Sequence, residues 1–129
     1  KSTQGAIGYV DFSTATASGL NSAMIKNSDG AYLAPSTAGA TAAASHVTPK
    51  SDLTFETVDE PGKTSYPITY QSWDLVYEKQ PNASDAALLK AYLGFLLGQG
   101  QSLLSSLNLA QLPPSIDSQA KAQLSKITS

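Results

Sequence analysis

The chain opens on a short apolar run, Ala6-Ile7-Gly8-Tyr9-Val10-Asp11-Phe12, whose aromatic and β-branched members predict a buried strand. Gly5 and Gly8 beside it predict a close backbone neighbour. Further on, Ala23-Met24-Ile25-Lys26 and Ala31-Tyr32-Leu33 flank Asn27-Ser28-Asp29-Gly30. Asp-Gly between two apolar runs signals a hairpin, because glycine accepts the positive φ of such turns. Pro35 ends the second strand, and Ser36 is placed to N-cap an alanine-rich helix over residues 37–45. Residues 53–58 alternate apolar and polar, as a half-exposed strand does. Asp59-Glu60-Pro61-Gly62-Lys63 is a turn by composition. Tyr66-Pro67-Ile68-Thr69-Tyr70 predicts a strand with Pro67 at its start or edge, and Trp73-Asp74-Leu75-Val76-Tyr77 predicts a core strand.

From there the period changes to that of a helix. Ser84 is the expected N-cap, with Asp85 suiting the helix dipole. Leu88, Leu89, Tyr92, Leu93, Leu96 and Leu97 fall on one face. The glycines at 94, 98 and 100 predict a break near Gly98, followed by a short helix carrying Leu103, Leu104 and Leu107. Pro114 suits the first position of a last helix, which sets Ile116, Ala120, Leu124 and Ile127 on one side. The order of elements is therefore mixed α/β.

Composition narrows the possible chemistry. The chain has 129 residues, 41% of them hydrophobic and 14% charged, with a formal net charge of −2, so it has enough apolar content to fold. All eight basic residues are scattered lysines, so no basic stripe exists for nucleic acid. Arginine, the planar fork that best grips phosphate or carboxylate, does not occur. Cysteine is also absent, which excludes disulfides and thiolate metal sites. No apolar run approaches the roughly 20 residues that span a bilayer.

Candidate catalytic groups are few, and each has a plainer explanation. His46 stands alone in a polar loop, without the second histidine or cysteine that a zinc site needs. Asp59 and Glu60, adjacent before Pro-Gly, fit an exposed turn better than an acid–base pair. Gly94-x-x-x-Gly98 matches a membrane-dimer pattern, but the apolar stretch around it is too short. Asn82-Ala83-Ser84 fits a glycosylation sequon as well as a cap. Tyr70 and Trp73 could line a cleft, but aromatic residues at strand spacing are expected in the core. No catalytic, ligand-binding or metal residue is assigned, no cofactor is expected, and the chain is not expected to be an enzyme.

Several of these segments together resemble one family. Gly5-Ala6-Ile7-Gly8-Tyr9-Val10 resembles the Gly-Ala-Ile-Gly-Tyr segment of the phosphate-binding proteins of ABC importers. The hairpin at Ser28-Asp29-Gly30 with Pro35-Ser36, the Tyr66-Pro67-Ile68-Thr69 signature, the helix from Ser84 and the closing Leu112-Pro113-Pro114-Ser115 resemble the elements that follow in that family, in the same order. The resemblance implies the C-terminal part of a two-lobed periplasmic-binding-protein fold of type II, a mixed sheet with flanking helices. Residues 1–65 then correspond to the end of the second lobe, and residues 66–129 to the return into the first lobe through a crossing strand and C-terminal helices.

The resemblance also implies what is missing. The family's ion-gripping residues lie upstream of the Gly-Ala-Ile-Gly-Tyr segment: an arginine followed by a Ser-Gly-Thr turn, an aspartate, and further hydroxyls. No counterpart occurs in this sequence, so the expected role is scaffold and hinge of a phosphate receptor, not its clamp. The implied partners are the N-terminal remainder of the same protein or a swapped copy, inorganic phosphate in the complete protein, and an ABC permease. The implied location is periplasmic or extracytoplasmic, with a lipid anchor on the missing N-terminus compatible with it. The alternative is a structural or interaction module that kept the fold without the ligand.

Overall fold

The computed structural model describes residues 3–129. Its helices begin where the sequence supplies a group to satisfy the free N–H bonds of a first turn. Helix α1, Phe12–Ala17, starts after Asp11, whose carboxylate accepts from the Thr14 amide at 2.8 Å. Strands β1, Ile25–Lys26, and β2, Tyr32–Leu33, pair antiparallel in the register Ile25 to Leu33 and Lys26 to Tyr32. The turn between them closes through Gly30, at φ 83°, whose amide donates to Asn27. Helix α2, Thr37–Ala44, is capped by Ser36 through the Gly39 amide at 3.0 Å. These two elements agree with the expectation from the sequence.

Helix α3, Ala83–Leu96, corrects one detail. Its cap is Asn82, which accepts from the Asp85 amide at 2.9 Å, while Ser84 lies inside the first turn. The helix stops before Gly98, as expected: the backbone leaves the helical conformation there, at φ −112° and ψ −110°, and a Cβ would sit 2.8 Å from the Gly94 carbonyl oxygen. A 3₁₀ helix, Gln99–Leu107, follows. Such runs are usually short. Here Ser102, Ser105 and Ser106 each donate a hydroxyl hydrogen bond to the carbonyl three residues back, which suits the tighter winding. Asn108 ends it in the left-handed region. Helix α4, Pro114–Gln123, begins on Pro114 as predicted and runs into a 3₁₀ turn, Leu124–Lys126. Its inner side carries buried Ile116 and Ile127, with Ala120 and Leu124 half-buried.

The expected strands fare differently. Residues 6–10 form no strand: Ile7 is 99% and Tyr9 103% exposed, and a Cβ on Gly5 or Gly8 would meet nothing within 4 Å. A strand is stable when its backbone groups find a ladder, and this run finds none among the described residues. The run 73–77 is likewise extended but unpaired, with Leu75 at 93% exposure, so it is not a core strand. Residues 53–58 keep the alternation without a ladder: Leu53, Phe55 and Thr57 turn inward, and Thr54, Glu56 and Val58 outward. Residues 66–70 also form no strand, although Pro67 is buried.

The buried apolar core that results is small: Ala15, Ala43, Ala86, Ile116 and Ile127. A compact monomer of 13.4 kDa exposes roughly 6,500 Å². This chain exposes 8890 Å². The difference, about 2,400 Å², is about three times what one partner contributes to an ordinary protein interface. Much of the exposed apolar surface falls on Ile7 and Tyr9, on Leu75 and Tyr77, and on Leu88 and Tyr92 of α3.

Candidate functional site

The best-ordered polar constellation joins the hairpin to the loop that precedes Tyr66. Asn27 ends β1 and is only 4% exposed. Its amide donates to the Gly62 carbonyl at 3.0 Å and to the Ser65 carbonyl at 3.1 Å, and its side-chain oxygen accepts from the Ala31 amide at 2.9 Å. One side chain thus closes the hairpin turn and ties it to a loop 35 residues away. Ser65, fully buried, donates its hydroxyl to the Pro61 carbonyl at 2.7 Å. Tyr66 follows directly, with its amide donating to the Gly39 carbonyl of α2 at 3.1 Å. Burial pushes the Tyr66 phenol above its ordinary pKa.

Asp59 belongs to the same assembly. Its carboxylate accepts from the Ser28 amide at 2.9 Å, and its own amide donates to the Pro67 carbonyl at 2.9 Å. It sits at φ 52°, the left-handed conformation that aspartate tolerates better than most residues. The Asp59-Glu60 turn is therefore a fastener between two loops, and among the described residues no hydrogen bond joins the two carboxylates to a nucleophile or base. His46 is exposed; its Nε2 atom stands 3.0 Å from where a Cβ on Gly62 would lie. Among the described residues, no group of three histidine, cysteine, aspartate or glutamate side chains is placed to hold a metal ion.

The second candidate is an open groove of about 760 Å³ between residues 50–58 and 69–73. Tyr70 and Trp73 both line it and are exposed, so the core placement expected of them gives way to the cleft. Trp73 donates its indole N–H to the Leu53 carbonyl at 3.0 Å and meets Phe55 edge-on at 5.9 Å. Thr57 donates to the Thr69 carbonyl at 3.0 Å and lies 2.8 Å from the Gln71 side-chain oxygen, while the Gln71 amide donates to the Phe55 carbonyl. The groove's central polar groups are thus committed to holding its own walls together. Its lysine, Lys50, shares the lining with the carboxylate of Glu56.

An anion trap needs donors with no other partner, and helix N-termini are the usual source. Here those of α1, α2 and α3 are closed by their own caps: Asp11, Ser36 and Asn82. The Asp11 carboxylate is held down to a pKa of about 2, chiefly by the Ser13 hydroxyl and then by the Thr14 amide, so it stays charged and would repel an anion. Helix α4 opens on a proline, which removes one first-turn donor, and its Ile116 and Asp117 amides donate to the Pro113 carbonyl. Among the described residues, no helix is long and apolar enough to cross a membrane.

Comparison with known proteins points to a single class, the phosphate-binding proteins. Phosphate-binding protein PstS 3 of Mycobacterium leprae is 32% identical over 127 residues, covering 92% of this chain and 34% of its own length. PstS of Haemophilus influenzae is 28% identical over 119 residues, covering 91% of this chain and 36% of its own length. PstS 2 of Mycobacterium tuberculosis is 28% identical over 137 residues, covering 99% of this chain and 36% of its own length. No family model matches the sequence. The chain is a sequence relative of the PstS phosphate-binding proteins along nearly all of its own length. It spans about a third of the length of the curated relatives it matches. Those relatives are named as phosphate-binding proteins.

Proposed function

We propose that the chain is a segment of a high-affinity inorganic phosphate receptor that delivers phosphate to an ABC importer. In that reading it is non-catalytic and supplies scaffold and hinge, while the residues that grip the ion lie elsewhere in the complete protein. The observation that carries this is the pairing of a match over nearly the whole chain with only a third of each relative's length. The surface supports it: the chain exposes about 2,400 Å² more than a compact monomer of this size does. The self-capped helix termini and the absence of arginine support the assignment of the ion's donors to another segment.

The proposal includes a division by lobe, with residues 1–65 closing the second lobe and 66–129 returning to the first. Its partners are the upstream polypeptide of the same protein, phosphate in the complete protein, and the permease. The proposed location is extracytoplasmic, where such a receptor meets its substrate.

Titration calorimetry with inorganic phosphate tests it on two samples, this chain alone and this chain mixed with the upstream polypeptide. Silence from the first and a saturable heat from the second are expected. Tight phosphate binding by the chain alone would overturn the assignment of the donors. A folded, monomeric chain that ignores the upstream polypeptide would favour a structural or interaction module instead.

A further inference from the structure

We infer that Asn21 is a site of spontaneous covalent modification, deamidation through a cyclic imide, and that the fold steers this chemistry to Asn21 and away from Asn27. The inference rests on this chain's own residues and not on what the complete protein binds. The same dipeptide occurs twice, as Asn21-Ser22 and as Asn27-Ser28. In the reaction the serine backbone nitrogen attacks the asparagine Cγ. The side-chain amide leaves as ammonia and carries off the proton that the backbone nitrogen gives up. Water then opens the imide ring at either of its carbonyls, which leaves aspartate or isoaspartate. No oxidant or cofactor takes part. The reaction requires a free side chain, a free backbone nitrogen one residue on, and a backbone able to bend the one toward the other.

Asn21 meets these conditions. Helix α1 closes just before it, where the Gly19 amide donates to the Thr16 carbonyl at 3.0 Å and the Leu20 amide to the Ala15 carbonyl at 2.9 Å. Strand β1 begins just after it, at Ile25. Residues 21–24 lie between, all exposed, and form no hydrogen bond through backbone or side chain among the described residues. A connection held by so little bends at low cost. Ser22 also lacks the second branch at Cβ that would crowd its amide.

Asn27 meets none of them. Its side chain is buried and bonded to Gly62, Ser65 and Ala31. Its would-be nucleophile is taken as well, because the Ser28 amide donates to the Asp59 carboxylate at 2.9 Å. These four hydrogen bonds must open before Asn27 can react. The other asparagines are restrained too: the Asn82 side chain caps α3, and the Leu109 amide after Asn108 donates to the Leu104 carbonyl at 3.0 Å. The consequences differ as much as the rates. Isoaspartate adds a methylene to the main chain. At position 27 that would pull the hairpin from its loop. At position 21 it lengthens a connection that bonds nothing, so the folded chain keeps its shape and gains one negative charge on top of its formal −2.

Prolonged incubation of the whole 129-residue chain at neutral pH, then trypsin and mass spectrometry against the fresh chain, tests this. Cleavage after Lys26 puts the two dipeptides on separate fragments, residues 2–26 and 27–50. The first should show conversion of amide to acid and should accept methyl groups from an isoaspartate-specific carboxyl methyltransferase. The second should lag by about tenfold or more, because more than one buried hydrogen bond must break first. In urea, where the junction is gone, the two rates should converge. Asn21→Gln should remove the acidic species that anion exchange resolves from the incubated chain, and the incubated chain should keep the urea midpoint of the fresh one. A fragment 2–26 that stays unmodified, a folded chain in which Asn27 reacts as fast as Asn21, rates that stay apart in urea, or a lowered midpoint would each overturn the inference. The phosphate titration above is read separately, so either conclusion can fail without the other.

Discussion

Gly39 of α2 and Tyr66 meet backbone to backbone: the Tyr66 amide donates to the Gly39 carbonyl at 3.1 Å, and a Cβ on Gly39 would lie 2.9 Å from the Cβ of Tyr66. That distance is shorter than carbon atoms tolerate, and the atom in the way is fixed to the backbone, so it cannot swing aside. The same Cβ would also press on the Ser36 hydroxyl at 3.1 Å, the group that caps the helix.

Gly39→Ala should therefore destabilise the chain although alanine is the better helix former. The gain from helix propensity is about 1 kcal/mol, and overpacking a tight contact costs about 1–3 kcal/mol. We expect a net loss, seen as a lower urea midpoint when the single tryptophan, Trp73, is followed by fluorescence. A midpoint at or above that of the unsubstituted chain would show that α2 can back away from Tyr66.

Asn27 offers a sharper case. Asn27→Ala strips partners from the Gly62 and Ser65 carbonyls and from the Ala31 amide together, in a place where water does not easily replace them. Leaving buried polar groups unsatisfied costs about 2–3 kcal/mol. Faster amide exchange at Ala31 and Tyr66 should accompany the loss, because the hairpin and the loop come apart as one event. Unchanged exchange at Tyr66 would mean that the α2 contact holds the loop without Asn27.

The acid response of α1 has a definite sign. The Asp11 carboxyl falls from an ordinary 3.8 to about 2 in the folded chain. A depressed carboxyl contributes stability that is complete above its unfolded value and disappears as pH falls through the folded one. The cap of α1 should thus be intact above pH 4 and lost on the way down to about 2. The Thr14 amide resonance, which reports on the cap directly, should titrate in that window, and Asp11→Asn should abolish the titration while keeping a cap. Asp52, lowered by the Thr54 amide and hydroxyl, should respond in the same direction.

Local chemistry was the legible part of this sequence. The turn at Asp29-Gly30, the cap at Ser36, the stop near Gly98 and the start at Pro114 each depend on a residue and its immediate neighbours, and each was readable for that reason. The strands at 6–10 and 73–77 were misread for the opposite reason. Their apolar, β-branched composition states a preference for a sheet, but a sheet needs a second strand, and composition does not say where that strand is. The Asn27 junction was also out of reach, since its loop partners begin 35 residues away and no periodicity links them. The aromatic groove at Tyr70 and Trp73 runs against the core placement expected of them, because the pattern that buries an aromatic side chain and the pattern that lines a cleft are the same.

The misread runs lead to the final prediction. Leu75 and Tyr77 stand exposed on an extended backbone that, among the described residues, is unpaired but for the Tyr77 carbonyl, and Leu88, Tyr92 and Phe95 form a stripe along the outer side of α3 at helical spacing. Unpaired extended backbone recruits another strand, and an apolar stripe recruits another face. At tens of micromolar the isolated chain should therefore self-associate, as light scattering after size exclusion would show. Leu75→Lys should weaken association through the extended run, and Leu88→Lys through the helix; neither side chain is buried, so neither substitution should change the unfolding free energy of the monomer by more than about 0.5 kcal/mol. If the upstream polypeptide of the complete protein covers these same surfaces, it should compete with self-association, and both lysine variants should bind it less well. A chain that stays monomeric at that concentration, with the unsubstituted residues in place, would mean that the exposed apolar surface is tolerated in water and that the proposed partner is not needed to cover it.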